Sequence, residues 1–344
     1  MRLLAGDVGG THTRLTLYEG PADQPPQASA TAVYKSQEFT DLAPVIRAFL
    51  REHALAPPEG ACIGVAGPVR QGRVRLTNVN WQLDAIRLSA DLGFPITLIN
   101  DFHAQAAAIP HLGPHDLVAL ETNGSAEPEA EEGAPIAILG PGTGLGEALL
   151  IPETHGGYRV LPTEGGHSRF APRDEREIGL LRSLWQTFPE HVSVERVLSG
   201  NGLVAIYDYL RGDTPRRPEM ATTDPAAVIT TQALARGCPI CVEAVEMFVA
   251  ILGDEAANLA LKSNAGGGVY IAGGIGPRIA PLMQGTFRRA FITKGRFGSW
   301  LRGVPTWLII RTDSGMLGAW AEAHRLASQP HEQSPERSLM ESED

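Results

Sequence analysis

The chain has 344 residues, 43% hydrophobic and 20% charged, enough for about two domains with cores of their own. Its formal net charge is −10 and its lysines are only Lys35, Lys262 and Lys294, so there is no basic stripe or run for nucleic acid or an anionic membrane surface. No apolar run reaches membrane-spanning length, Met1-Arg2-Leu3-Leu4-Ala5-Gly6-Asp7 lacks a secretory core, and three cysteines fit a reducing compartment. The expected setting is cytoplasmic, with neither nucleic acid nor membrane as partner.

Apolar runs bounded by glycine and proline predict strands over 2–6, 13–18 and 31–35, a β meander. Asp41 predicts the cap of a helix that carries Leu42, Ile46, Phe49 and Leu50 on one face. Strands are expected over 61–66 and 95–99, with a hairpin over 70–77, a helix from Asp84 and a helical run over 104–109. The acidic stretch 121–133 has no apolar periodicity and reads as a solvated loop. A second series of strands is expected over 135–139, 147–151 and 158–161. Helices follow from 174 to 262, then a strand over 268–272, a helix from Pro277, a strand over 307–311 and a last helix over 317–326. From Ser328 the chain is polar and proline-dotted and reads as disordered.

Both halves open with a strand, a glycine-rich turn and a second strand. The first has Gly6-Asp-Val-Gly-Gly-Thr-His-Thr-Arg14 and the second Gly140-Pro-Gly-Thr-Gly-Leu-Gly146, which predicts an internal duplication. Neither turn is a P-loop, which needs a lysine, and Leu145 breaks the dinucleotide fingerprint in the second. Two readings stand for each turn: a nest of backbone N–H groups for a phosphate, with Thr11 and Thr143 adding hydroxyls, or a tight hairpin. With so few lysines, phosphate charge would fall to backbone dipoles and to Mg2+, which Asp7 can hold through water. In Tyr270-Ile-Ala-Gly-Gly-Ile-Gly-Pro277 the backbone at Gly273 and Gly274 either lies against a purine or packs strand on helix.

In Pro95-Ile-Thr-Leu-Ile-Asn100-Asp101-Phe two polar residues end an apolar strand, where ligands collect in open α/β sheets. Asp101 there is either a proton acceptor for a substrate hydroxyl, with Asn100 holding that hydroxyl, or a helix N-cap. Thr163-Glu164-Gly-Gly-His167 and Ser193-Val-Glu195-Arg supply acceptors and a donor suited to vicinal sugar hydroxyls. Zinc at Glu164 and His167 would need a further ligand that the next residues lack, so no protein metal site is expected. Cys238-Pro-Ile-Cys241 has redox spacing but no preceding strand, and reads as two structural thiols.

Taken in order, Gly6-Asp7-x-Gly-Gly-Thr11, Asn100-Asp101-Phe, Gly142-Thr-Gly-Leu-Gly146, Glu164-Gly-Gly-His167, Ser193-x-Glu195-Arg-Val-Leu-Ser-Gly200 and Ala272-Gly-Gly-Ile275 resemble bacterial glucokinases of the hexokinase type over about residues 1–325. The resemblance implies an α/β protein of the actin-like ATPase fold of sugar kinases, with two α/β domains around a cleft. The smaller would span 1–111, completed by about 312–327, and the larger 112–311, with a tail over 328–344. It also implies ATP-dependent phosphorylation of glucose at the 6-hydroxyl, with glucose, ATP and Mg2+ bound and a homodimer as the family's common assembly. Carried over by position, Asp101 is the base, and Asn100, Asp101, Glu164, His167 and Glu195 contact the sugar. Gly6, Asp7, Gly9, Gly10, Thr11, Gly142, Thr143 and Gly144 hold the phosphates, with Gly273 and Gly274 near the adenosine. His12, Pro141 and Glu147 depart from the family pattern, and the first and last bear on nucleotide affinity and the preferred donor. The related ROK family shares a Glu-x-x-His element but follows it with a cysteine-rich zinc loop and has DNA-binding members, features this chain lacks. A kinase for mannose or an amino sugar, or a non-catalytic actin-like sugar sensor, are the alternatives.

Overall fold

A computed structural model describes residues 1–21, 26–76, 78–121, 128–154 and 156–328. The expected tail beyond Ser328 and residues 122–127 of the expected 121–133 loop lie outside them. The chain divides into two compact units, one of residues 1–104 with the segment from Gly315 onward, the other Gln105–Ser314.

The first unit holds a sheet of β1 (Arg2–Val8), β2 (His12–Glu19), β3 (Gln27–Lys35), β4 (Gly60–Val65) and, after the hairpin β5 (Arg73–Leu76) and β6 (Trp81–Asp84), β7 (Ile96–Asn100). The order is β3-β2-β1-β4-β7; β1, β2 and β3 run antiparallel, while β1, β4 and β7 are parallel. Helix α1 (Leu42–Glu52) starts at Asp41, whose carboxylate accepts the Leu42 N–H at 2.7 Å, and buries Leu42, Ile46 and Phe49 against Leu4, Val8, Leu15 and Leu17. Each such side chain contributes about 1.5–3 kcal/mol. Helix α2 (Ala85–Leu92) is capped by Asp84 and ends at Gly93, whose φ of +80° suits glycine. Helix α3 (Asp101–Ala108) follows β7 directly.

The second unit repeats the plan. Its sheet contains β8 (Leu117–Ala119), β9 (Ile136–Pro141), β10 (Leu145–Pro152), β11 (Tyr158–Thr163), β12 (Val269–Ile271) and β13 (Thr306–Ile309), in the order β11-β10-β9-β12-β13-β8. Apart from the added edge strand β8, this is the order of the first sheet, with the same change from antiparallel to parallel pairing beside its first strand. The turns 9–11 and 142–144 therefore occupy equivalent places, which accounts for the similar openings of the two halves.

Between β11 and β12 come α4 (Glu175–Trp185), α5 (Gly200–Arg211), α6 (Pro225–Leu234) and α7 (Pro239–Ser263). After β12 follow α8 (Gly276–Met283), α9 (Thr286–Ile292) and α10 (Gly298–Arg302), and α11 (Ser314–Ser328) comes last. Helix α7 is apolar almost all round and forms the centre of the core, with Phe248, Leu252, Ala256 and Ala260 fully buried. Cys238 caps it, its Sγ accepting the Cys241 N–H at 3.2 Å. All three cysteines are free and buried. No described helix is long and apolar enough to cross a membrane.

Three details differ from the sequence expectation. The hairpin is β5–β6, because Trp81 to Leu83 alternates and pairs with 74–76 before Asp84 opens the helix. The strand expected over 307–311 ends at Ile309. Strand β8 has only three residues, too few to show a period of two.

Candidate active site

In the first unit, Asp7 and Asn100 stand at the carboxyl ends of β1 and β7, the parallel strands on either side of β4: Asp7 is level with Gly64 of β4, and Val65 of β4 with Asn100. Asn100, not Asp101, caps α3. Its Oδ1 accepts the Phe102 N–H at 2.8 Å and its Nδ2 donates to the Gly67 carbonyl at 3.0 Å. Asp101 is the first residue of the helix, accessible to solvent, with its own Oδ1 2.8 Å from the Phe102 N–H. Desolvation raises the Asp101 carboxyl above the ordinary aspartate range against the pull of the Phe102 N–H, and the Asp7 charge pushes it further up. Asp7 is raised as well, by burial, with Arg14 opposing.

The first glycine turn is tied down on both sides. The Gly9 N–H donates to the His12 carbonyl at 2.9 Å, and Ser36 Oγ donates to the Gly9 carbonyl at 3.0 Å. A Cβ on Gly10 would lie 2.5 Å from Asn78 Cβ, a contact the sequence does not announce. Thr11 is exposed at the tip. Gly6 is inside β1, where a Cβ would meet Ile63 Cδ1 at 2.6 Å, so close strand packing accounts for it.

In the second unit, the Gly142 N–H donates to the Gly144 carbonyl at 2.8 Å, and the Gly200 N–H at the start of α5 donates to the Gly142 carbonyl at 2.9 Å. Glu195 joins this turn: its Oε2 accepts the Leu145 N–H at 3.0 Å and lies where a Cβ on Gly144 would go. Glu164 and His167 flank one 3-10 turn, with Oε2 and Nε2 3.9 Å apart and both side chains exposed. That turn is fastened to the Glu195 segment, because the Val194 N–H donates to the Ser168 carbonyl at 2.9 Å and His191 Nε2 is 2.8 Å from the His167 carbonyl. Glu164, His167, Glu195 and the 142–144 turn thus form one connected patch.

A cavity of about 460 Å³ adjoins the patch, lined in part by Gly142, Thr143, Asn201, Asp224, Gly274 and Arg278. Gly273 is not in its lining; its φ is +85° and a Cβ there would collide with the Pro141 carbonyl. Sequence reasoning missed Asn201, Asp224 and Arg278. Asp224 has a readable signal as the residue before Pro225, and it caps α6 by accepting the Ala227 N–H at 3.0 Å. Arg278 Nη1 and Asp224 Oδ2 are 3.7 Å apart. No group of three or more metal-binding side chains exists among the described residues.

The glucokinase family model matches residues 4–326. A curated glucokinase of Nostoc punctiforme is 41% identical, over 94% of this chain and 99% of that one. The chain belongs to the glucokinase family. Among solved structures, a glucokinase from an Antarctic psychrotroph superposes with a TM-score of 0.83 at 32% identity, covering 94% of this chain and 99% of that one. A glucokinase from Balamuthia mandrillaris, solved in complex with glucose, gives 0.76 at 22% identity over 94% and 93% of the two chains. The sheet order repeated in the two units of this glucokinase-family protein is that of the actin-like ATPase fold of sugar kinases.

Proposed function

We propose that this protein is an ATP:D-glucose 6-phosphotransferase, moving the γ-phosphoryl group of ATP to the glucose 6-hydroxyl by in-line displacement. Besides the family, the observation that carries the reading is Asp101. It is held at the carboxyl end of β7 by the Asn100 cap, accessible, and more basic than an ordinary aspartate. Such a group takes the proton of the attacking hydroxyl as the new O–P bond forms and the bond to the ADP oxygen breaks.

Asn100, Glu164, His167 and Glu195 hold sugar hydroxyls, Asn100 also fixing Asp101. Gly9, Gly10 and Thr11 in one unit, and Gly142, Thr143 and Gly144 in the other, hold phosphates; Gly6 and Gly273 shape the backbone beside those turns. Gly274 and the 460 Å³ cavity take the adenosine. One carboxylate at a glycine turn fits Mg2+, which keeps most of its waters and takes phosphate oxygens as ligands; Asp7 is that carboxylate. When bound, Mg2+ neutralises phosphate charge. The reading includes a cytoplasmic setting and a homodimer that rests on the family alone and that light scattering decides.

The test is ADP release with Mg-ATP against glucose, mannose, fructose, glucosamine and N-acetylglucosamine, with a no-sugar blank. Glucose turnover well above the others supports the reading. Turnover with another sugar changes the substrate, and glucose binding without turnover points to a sensor. Glu195→Gln is expected to raise the glucose concentration for half-saturation by about tenfold or more, the scale of a hydrogen bond to a charged group, and to move that for ATP much less. Steady-state titration of each substrate measures this, and an unmoved glucose dependence would remove Glu195 from the sugar site.

A further inference from the structure

Glu147 has no role in the reading above, yet its placement is unusual. It lies in β10, is 3% exposed, and its Oε1 is buried without a hydrogen-bond partner. Directly across the ladder is Thr163, the last residue of β11. Thr163 Oγ1 donates to the Glu147 carbonyl at 3.1 Å and accepts the Gly165 N–H at 3.2 Å. The Glu147 carboxyl reaches past this link and fills the space where a side chain on Gly165 would be, and a side chain on Gly166 would in turn collide with the Leu145 carbonyl. The Gly165-Gly166 pair therefore lets the turn between Glu164 and His167 lie flat on residues 145–147 of β10.

We propose that Glu147 is a positioning residue for sugar binding: its buried carboxyl is the floor on which the Glu164–His167 turn rests, and so sets where those two side chains present themselves to the sugar. This rests on the proposed sugar-binding role of that turn. The charged groups that act on Glu147 are Glu255 and Lys262 on α7; the turn above carries Glu164 and His167 with their side chains exposed, and β9 brings Leu139 opposite it. Burial, reinforced by the Glu255 charge and only partly opposed by Lys262, raises the carboxyl to about 7. The floor is consequently uncharged in acid and charged above neutrality. Charging a buried oxygen that has no partner is costly, and the relief available is to lift the turn and admit water. The sign follows: the sugar KM is low below about pH 7 and rises above it.

The experiment measures KM for glucose and for ATP from pH 6 to 9 in wild type, Glu147→Gln and Glu147→Ala. It is accompanied by amide hydrogen exchange of the 164–168 segment in all three proteins. Glu147→Gln keeps the shape and removes the charge, so the alkaline rise in glucose KM disappears. Glu147→Ala removes the floor, and the glucose KM rises on the order of tenfold at all pH values, as small misplacements of binding groups do, with the ATP KM nearly unchanged and faster exchange in 164–168.

A Glu147→Gln profile that still follows wild type, or a Glu147→Ala glucose KM within about twofold of wild type, overturns the proposal while leaving the kinase reading intact. Absence of sugar-dependent turnover in wild type would overturn the kinase reading instead. Exchange at 164–168 then decides the positioning role, faster exchange in Glu147→Ala sustaining it and unchanged exchange ending it. If Glu147→Ala does not fold, the pH profile of Glu147→Gln decides alone.

Discussion

Asp101→Asn is expected to bind glucose nearly as the wild type does and to lose roughly 100- to 10,000-fold in kcat, the range that a positioned general base contributes. Asparagine has the shape of aspartate and its Oδ1 still accepts the Phe102 N–H, so the start of α3 should not move. What disappears is the proton acceptor. The same change removes a charge that desolvation and Asp7 both disfavour. Because the folded-state pKa of Asp101 is raised, its ionised form opposes folding at neutral pH, and the variant should melt at the wild-type temperature or slightly above. In the wild type the base is competent only when ionised, so kcat/KM should fall as pH drops through a value above that of an ordinary aspartate. Calorimetric glucose binding, kcat of the variant, kcat/KM of the wild type against pH and a melting curve test the four parts. Turnover within about tenfold of wild type would show that Asp101 is not the base.

The second large effect concerns stability. Arg288 of α9 is almost wholly buried, and its Nε lies 2.8 Å from a Glu121 oxygen. Its two terminal nitrogens donate to the Val304 and Arg302 carbonyls, each at 2.8 Å, so one guanidinium fixes the entry to β13. Arg288→Ala would strand a buried carboxylate and two carbonyls, which costs about 3–5 kcal/mol. For a unit of this size that is a fall in Tm of roughly 10 °C. Arg288→Lys should recover little, because one ammonium cannot span three acceptors held in a planar fork. Scanning calorimetry measures both, and a fall of less than about 2 °C for the alanine variant would refute this account.

What could be read in the chain beforehand was what repeats locally. Strands β1, β2, β4 and β7 have buried alternate or continuous apolar residues, Asp41 and Asp84 precede helices as side-chain caps, and the glycine turns stand out by composition. Residues whose meaning depends on a distant partner were not readable. Asn78 matters because it meets Gly10, and Glu147, which in the sequence is only a departure from the family pattern, matters because it lies under Gly165. Asn100 and Asp101 show the limit well: adjacent polar residues at a strand end allow either to cap the helix, and only the amide's second bond, to Gly67, decides it. Arg278 lies early in α8 and enters the cavity lining with no periodic signal to mark it.

The first unit is not contiguous in the chain: it needs residues from Gly315 onward. In α11, Trp320 packs on Tyr18 with ring centroids 6.3 Å apart, and the Glu322 charge is felt at Cys62 in β4. During synthesis the strands of this unit leave the ribosome first, but their closing helix follows the whole second unit, roughly ten seconds or more later at ordinary elongation rates. The part of the protein made first is therefore the part finished last. Its sheet waits with an uncovered apolar face while the second unit, continuous in sequence, can already fold, which makes the interval before α11 emerges the time when a nascent chain most needs a chaperone.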